Sequence, residues 1–263
     1  MGSTVSVDID AHVASVRLNR PEKMNAVNLE MFAELSEVGD RISADSSVRV
    51  VVLSGCGENF CAGIDTSIFG ADGPGIEAAT MAPQAPSPAN LFQRAAYVWR
   101  EVPVPVICAI HGVAFGAGLQ IALGADIRYA SPDARLAIME AKWGIIPDMA
   151  ISTTARNIVP LDRIRELAYT ARVIDAPEAM RIGLITRMHD EPLAAANSLA
   201  EEISHRSPSA VRSMKQLFDA GWSAPEAEAL ALEARLQSAL LGGENQREAV
   251  RATIENRTPN FVD

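Results

Sequence analysis

Basic residues are the scarcer charge in this chain. It carries 23 Lys and Arg against 33 Asp and Glu over 263 residues, a formal net charge of -10. A nucleic-acid binder shows a basic face, so this balance argues against one. An anionic ligand can still be received by backbone N–H groups or a few placed Arg and Lys. Cysteine is nearly absent: Cys56, Cys61 and Cys108 form no ligand-spaced set and cannot all pair. A reduced, cytoplasmic compartment is the expectation. Histidine is scarce too, and no two of His12, His111, His189 and His205 stand at metal spacing, so no metal is implied. No run of about 18 apolar residues occurs, which excludes a membrane-spanning helix. The first residues alternate apolar and polar types without a continuous apolar stretch, and so do not read as a signal peptide.

What is present is apolar: 48% of residues, with a moderate 21% charged. That composition supports one globular unit with a large core, or one domain with an appendage. Val5–Ile9 and His12–Leu18 alternate around Asp10-Ala11, the pattern of a hairpin. Leu29, Phe32, Leu35, Val38 and Ile42 recur at helical spacing between Asn28 and Ala44. Val48–Ser54 and Val104–Ile110 are continuous, β-branched-rich runs, the signature of buried strands. Between them, Gly70–Asn90 is rich in Gly, Pro and Ala and reads as a mobile loop or broken helix of the kind that covers a site, followed by a helix over Leu91–Arg100. His111–Gly118 is a small-residue segment leading into a helix over Leu119–Leu123. Asp126–Ala130 and Arg135–Ile138 read as short strands. Helices are expected over Asp148–Val159, Asp162–Thr170 and Pro177–Ile182, then over 193–206, 208–220, 225–241 and 244–256. Strands alternating with helices before a helical tail indicate an α/β body over 1–192 and a helical region over 193–263.

Four stretches carry chemistry when taken together. They are Asn19-Arg20-Pro21-Glu22-Lys23-Met24-Asn25-Ala26, Asn59-Phe60-Cys61-Ala62-Gly63-Ile64-Asp65, the run from Ile110 to Ala130 (IHGVAFGAGLQIALGADIRYA), and Ile138–Thr154 (IMEAKWGIIPDMAISTT). A tail of Glu255-Asn256-Arg257-Thr258-Pro259-Asn260-Phe261 follows. Alone, the glycines from Gly112 to Gly118 indicate only close packing of a strand on a helix, and they do not spell the dinucleotide pattern G-x-G-x-x-G. In order and spacing, the set resembles the crotonase (enoyl-CoA hydratase/isomerase) superfamily over nearly the whole chain.

That resemblance implies a spiral of β-β-α turns, with the helical tail making trimer contacts and trimers pairing into hexamers. It implies an acyl-CoA thioester as substrate, with coenzyme A part of that substrate and no separate cofactor. The chemistry passes through a thioester enolate, whose oxyanion needs two preset donors, each worth roughly 3–4 kcal/mol. By resemblance these are the N–H groups of Ile64 and Ala117, the second at a helix start beside Gly116. The resemblance also places Lys23, Met24, Ala26, Ala62, Gly63 and Asp65 along the adenine and pantetheine. Asp65 has a plainer role available as a cap after the Ile64 turn.

The carboxylates decide between reactions. Hydratases of the superfamily hold one water between two glutamates. Here the first position is Gln120, which can orient a water but not usefully take its proton, and the second is Glu140. Asp148, eight residues beyond Glu140, resembles the second carboxylate of dienoyl-CoA isomerases. In that reading Asp148 removes a proton distal to the thioester and Glu140 returns one. Trp143, Ile145 and Ile146 would form an apolar wall keeping one carboxyl protonated. Two plainer roles stay open: Asp148 as a helix N-cap worth about 1 kcal/mol, and Glu140 as a surface ion pair. Hydration by Glu140 alone and acyl-CoA binding without turnover are the alternatives. Cys61 reads as an inert core residue, His111 as packing, and Lys215 and Arg257 as solvated side chains or contacts to CoA phosphates.

Overall fold

The computed structural model describes residues 2–69 and 81–263. Strands β1 (Val5–Asp10) and β2 (Val13–Leu18) form an antiparallel hairpin. Ala11 and His12 turn it with φ of 44° and 71°, the left-handed pair that a two-residue type I′ connection demands. Helix α1 (Leu29–Ala44) starts where the Asn28 side chain accepts from the Met31 amide at 2.9 Å. Next come β3 (Val50–Gly55), α2 (Leu91–Glu101), β4 (Val106–Ile110), β5 (Val113–Phe115), α3 (Ala117–Leu123), β6 (Ile127–Ala130) and β7 (Arg135–Ala137). Within the stretch read as a covering loop, residues 70–80 lie outside the described residues; 81–90 form turns that end at Asn90, which closes a capping box with Gln93 on α2.

After β7 stand α4 (Ile151–Thr154), α5 (Leu161–Thr170), β8 (Ile174–Asp175), α6 (Ala176–Arg181) and β9 (Arg187–Met188). The tail is α7 (Pro192–Ser204), α8 (Pro208–Gly221), α9 (Glu226–Leu240) and α10 (Glu244–Glu255). A six-stranded sheet runs in the order β1-β2-β3-β4-β6-β9, parallel from β2 onward, and a three-stranded sheet runs β5-β7-β8. Successive turns of the chain give one strand to each sheet, β4 then β5 and β6 then β7, which is the expected spiral. The larger sheet is covered on both faces, and its uninterrupted apolar runs follow from that. Val51, Leu53, Val106 and Cys108 join the core with α1 and α2, while Val50, Val52, Ile107 and Ala109 meet Ala196 and Ala200 of α7. Helix α7 therefore lies on the body of the protein, although it opens the helical region.

Three expectations need correction. β5 lies inside the small-residue segment, where the letters announce no strand. The helix expected over Asp148–Val159 shrinks to α4: Ala150 sits at its start with φ 63°, and the Thr153 and Thr154 hydroxyls bond back to the Ala150 carbonyl at 2.8 and 3.2 Å. Lys215 is neither solvated nor free to meet a phosphate. Its Nζ is buried and donates to the carbonyls of Trp99 (2.8 Å) and Val104 (2.9 Å) and to Asp126 (2.9 Å). The cause is that α8 lies across the C-terminal end of α2, whose last carbonyls attract a cation. Arg257 is a surface residue, as expected, paired with Glu248 and Glu255.

Candidate active site

The site is built on a loop pinned by Asn25. That side chain is fully buried; its Nδ2 donates to the carbonyls of Cys56, Asn59 and Phe60, and its Oδ1 accepts from the Arg20 amide. The loop then backs the 61–65 segment: Ala62 N–H donates to Met24 O and Val27 N–H to Gly63 O, at 2.9 and 2.8 Å. Lys23, Met24, Ala26, Ala62, Gly63 and Asp65 thus lie together, with Lys23 and Met24 exposed. Asp65 takes hydrogen bonds from the amide and hydroxyl of Ser67, capping the 3-10 turn Thr66–Phe69, and pairs with Arg20 at 3.0 Å. Burial opposes its charge, and the Ser67 and Arg20 bonds outweigh that, holding its carboxyl below the ordinary value. The cap role is therefore realised.

Cys61 is fully buried, its thiol 3.0 Å from the Asn25 carbonyl and pushed up to about 12 by burial. An inert core residue fits. His111 bonds the Gly57 carbonyl at 2.9 Å and does not line the cleft described next.

Two peptide N–H groups near this segment are unpaired. Among the described residues, neither Ile64 N–H nor Ala117 N–H has a hydrogen-bond partner, although Val27, Asp65, Gly116 and Gln120 around them are all bonded. A side chain at Gly63, where φ is 105°, would lie 3.0 Å from the Phe115 carbonyl oxygen and 4.0 Å from the Ala117 nitrogen. Only glycine allows that approach. Ala117 opens α3, so its amide is an orphan donor at the positive end of a helix.

Ile64 and Ala117 both line a cleft of about 110 Å³ that is walled also by Thr66, Met139, Trp143, Ile145 and Met149. Its ionisable lining residues are Glu140 and Asp148. Glu140 opens a 3-10 turn, Glu140–Trp143, and is only 6% exposed, which removes the surface ion-pair role. Its Oε1 accepts from Gln120 Nε2 at 2.5 Å, and its Oε2 has no partner among the described residues. Burial pushes its carboxyl up; the nearby Glu140 backbone amide, the Gln120 bond and the nearby Met139 amide oppose this, and the charge of Asp148 adds to it. Burial also raises the half-buried Asp148. Asp148 caps nothing: α4 begins at Ile151, its N-cap residue is Ala150, and it has no side-chain cap. Trp143 and Ile145 line the cleft, but Ile146 is 73% exposed and does not; Pro147 and the left-handed Gly144 turn it outward.

Residues 8–263 match the family model described as enoyl-CoA hydratase/isomerase. The chain belongs to the enoyl-CoA hydratase/isomerase family. It is 34% identical over 253 residues to the human mitochondrial Delta(3,5)-Delta(2,4)-dienoyl-CoA isomerase, covering 94% of this chain and 77% of that protein. It is 31% identical to (E)-benzylidenesuccinyl-CoA hydratase of Thauera aromatica, covering 98% of each. The crystal structure of enoyl-CoA hydratase from Bacillus anthracis superposes with a TM-score of 0.88 at 29% identity over 98% of both chains. Enoyl-CoA hydratase/isomerase family members act on acyl-CoA thioesters. Reading the letters did not reveal that Gln120 accepts from the Met149 amide at 2.9 Å. Nor did it find Thr66, Met139 and Met149 in the wall, since no periodicity marks them.

Proposed function

We propose that this enzyme moves one or two double bonds along an acyl-CoA, with the Ile64 and Ala117 amides holding the enolate oxygen. The supporting observation is that Glu140 and Asp148, the ionisable groups lining the cleft, are both made reluctant to charge by burial. Glu140 lies against Gly116, next to the Ala117 amide, and serves the carbon beside the thioester; Asp148 serves a carbon further along. Starting from a 2-enoyl or 2,4-dienoyl chain, ionised Asp148 takes the distal proton. The electron pair moves through the chain onto the thioester oxygen, and protonated Glu140 then delivers its proton to the near carbon. The same pair runs the reaction backward with the roles exchanged. At least one carboxyl is protonated at each stage, and both while the enolate is present; burial of the two groups favours the protonated form. This chemistry needs no metal or redox group.

A second reading, hydration with Glu140 working the water alone, is favoured by the unpartnered Oε2 of Glu140 and by the Thauera hydratase. Offering the purified protein 3,5-dienoyl-CoA, 3-enoyl-CoA and 2-enoyl-CoA separates the two. Isomerisation of either of the first two raises ultraviolet absorbance as the bonds conjugate with the thioester. Hydration of the third lowers it. Saturable binding without any turnover would mean an acyl-CoA-binding homologue and would overturn both. We further propose a homotrimer, or a dimer of trimers, closed by the helical tail, where Phe218, Trp222, Leu230 and Ile254 are exposed. A light-scattering mass of one chain would refute it.

A further inference from the structure

Gln120 stands where a carboxylate would make the cleft triply acidic, and it is 1% exposed. Both ends of its amide are committed. Nε2 donates to Glu140 Oε1 at 2.5 Å, and Oε1 accepts from the Met149 N–H at 2.9 Å. An amide N–H only donates, so the Glu140 oxygen it meets must keep a lone pair there. A proton carried by Glu140 therefore resides on Oε2, which has no partner among the described residues. Met149 directly follows Asp148, so the same amide also fixes the backbone that presents the second carboxylate. Ala150, next in line, adopts φ 63°, a left-handed conformation that a non-glycine residue keeps only when its surroundings hold it there. The Met149 bond is one such restraint.

We propose that Gln120 is a positioning residue for the acid–base pair. It leaves Oε2 as the one proton-carrying oxygen of Glu140 and anchors the segment that places Asp148. In its catalytic consequence this rests on the isomerase reading above. Around Glu140, α3 presents Gln120, the turn before it presents Gly116, and the 61–66 segment presents Ile64 and Thr66, none of which ionises. Across the cleft the charged group is Asp148, and the exposed Lys142 lies over the Trp143 ring.

The test compares Gln120→Leu, which removes both bonds, with Gln120→Glu, which keeps an acceptor for Met149 but sets a carboxylate against Glu140. Each is measured for kcat and KM against pH on the accepted substrate. Glu140 is titrated by carboxyl-carbon NMR, its signal assigned by loss in Glu140→Gln. Gln120→Leu should leave KM within about 3-fold and lower kcat about 100-fold, the effect of a misplaced reacting group. Its Glu140 midpoint should rise, because a donor to the charged form is gone. Gln120→Glu should titrate in two coupled steps, one above the wild-type midpoint, and shift the acidic limb of the rate profile upward. Unchanged kcat together with an unmoved Glu140 midpoint in Gln120→Leu would overturn the proposal. Should that variant not fold, the near-isosteric Gln120→Glu decides alone, single-step titration at the wild-type midpoint being the adverse result. Should the wild type turn over none of the three thioesters, the isomerase reading fails, while the titrations still decide the role of Gln120.

Discussion

The ammonium of Lys215 stands 2.9 Å from a carboxylate oxygen of Asp126, and its other donors reach the carbonyls of Trp99 and Val104. Asp126 also accepts from the Val106 amide at 2.7 Å, so one lysine ties α8 to the end of α2 and the start of β4. Breaking a buried pair by removing one partner costs about 3–5 kcal/mol. Asp126 keeps 30% of its side chain exposed, which places Lys215→Met at the low end, about 3 kcal/mol. Asp126→Asn, which keeps an oxygen for Lys215 and Val106, should cost less. Denaturant titrations at one protein concentration check this order, and a Lys215→Met protein as stable as wild type would contradict it.

Gly116 carries the second geometric constraint. Its φ is 48° and ψ -117°, and a Cβ there would sit 3.3 Å from Glu140 Oε1. Gly116→Ala should lose about 1–3 kcal/mol of stability from backbone strain. It should also lower kcat at least about 10-fold by pushing the carboxylate from its place. A variant with reduced stability but unchanged kcat would show that Glu140 tolerates the displacement.

Much of this arrangement is legible in the letters. The β-branched run at Val50–Leu53 faces apolar neighbours on both sides, so its burial shows without any knowledge of the fold. Resemblance picks out Ile64, Ala117, Glu140 and Asp148, which converge on one cleft. The failures are tertiary in origin. Val113–Phe115 is too short to announce a strand and gains its partners, Cys61 and Arg135–Ala137, from distant parts of the chain. Pro147 and Asp148 look like a helix start, yet the Ala150 backbone delays the helix. Lys215 reads as solvated because the carbonyls that receive it belong to α2 and the turn after it, far away in the chain.

Asp148 offers a clean separation of stability from chemistry. Having no cap to lose and a charge that burial already disfavours, Asp148→Asn should not destabilise the fold at neutral pH. Turnover should fall by about 100- to 10,000-fold, the usual contribution of a placed acid or base, with KM little changed. Steady-state kinetics on the accepted thioester, beside a melting curve, reads both. A large loss of stability with activity intact would restore the structural role that the geometry denies.

The pH dependence of stability should carry the mark of Glu140. Burial raises its pKa in the folded protein above the ordinary carboxylate value, so the folded state binds the proton more tightly than the unfolded chain. Stability from this group is full below the unfolded value and is lost as pH rises through the folded value. Asp65 and Glu248 run the other way: Glu248 is lowered to about 2 by Arg257 and the Asn260 amide, and both lose their contribution as pH falls. Those two are common to wild type and Glu140→Gln, and cancel in the difference. The substituted amide would keep an oxygen for Gln120 and cannot ionise. Glu140→Gln should therefore match wild type in acid and become progressively more stable than it as pH rises, while losing activity. Paired denaturation curves from about pH 4 to 8, the range spanning a raised carboxyl, measure the trend. A difference that stays flat or reverses would mean that Glu140 is not held reluctant to charge.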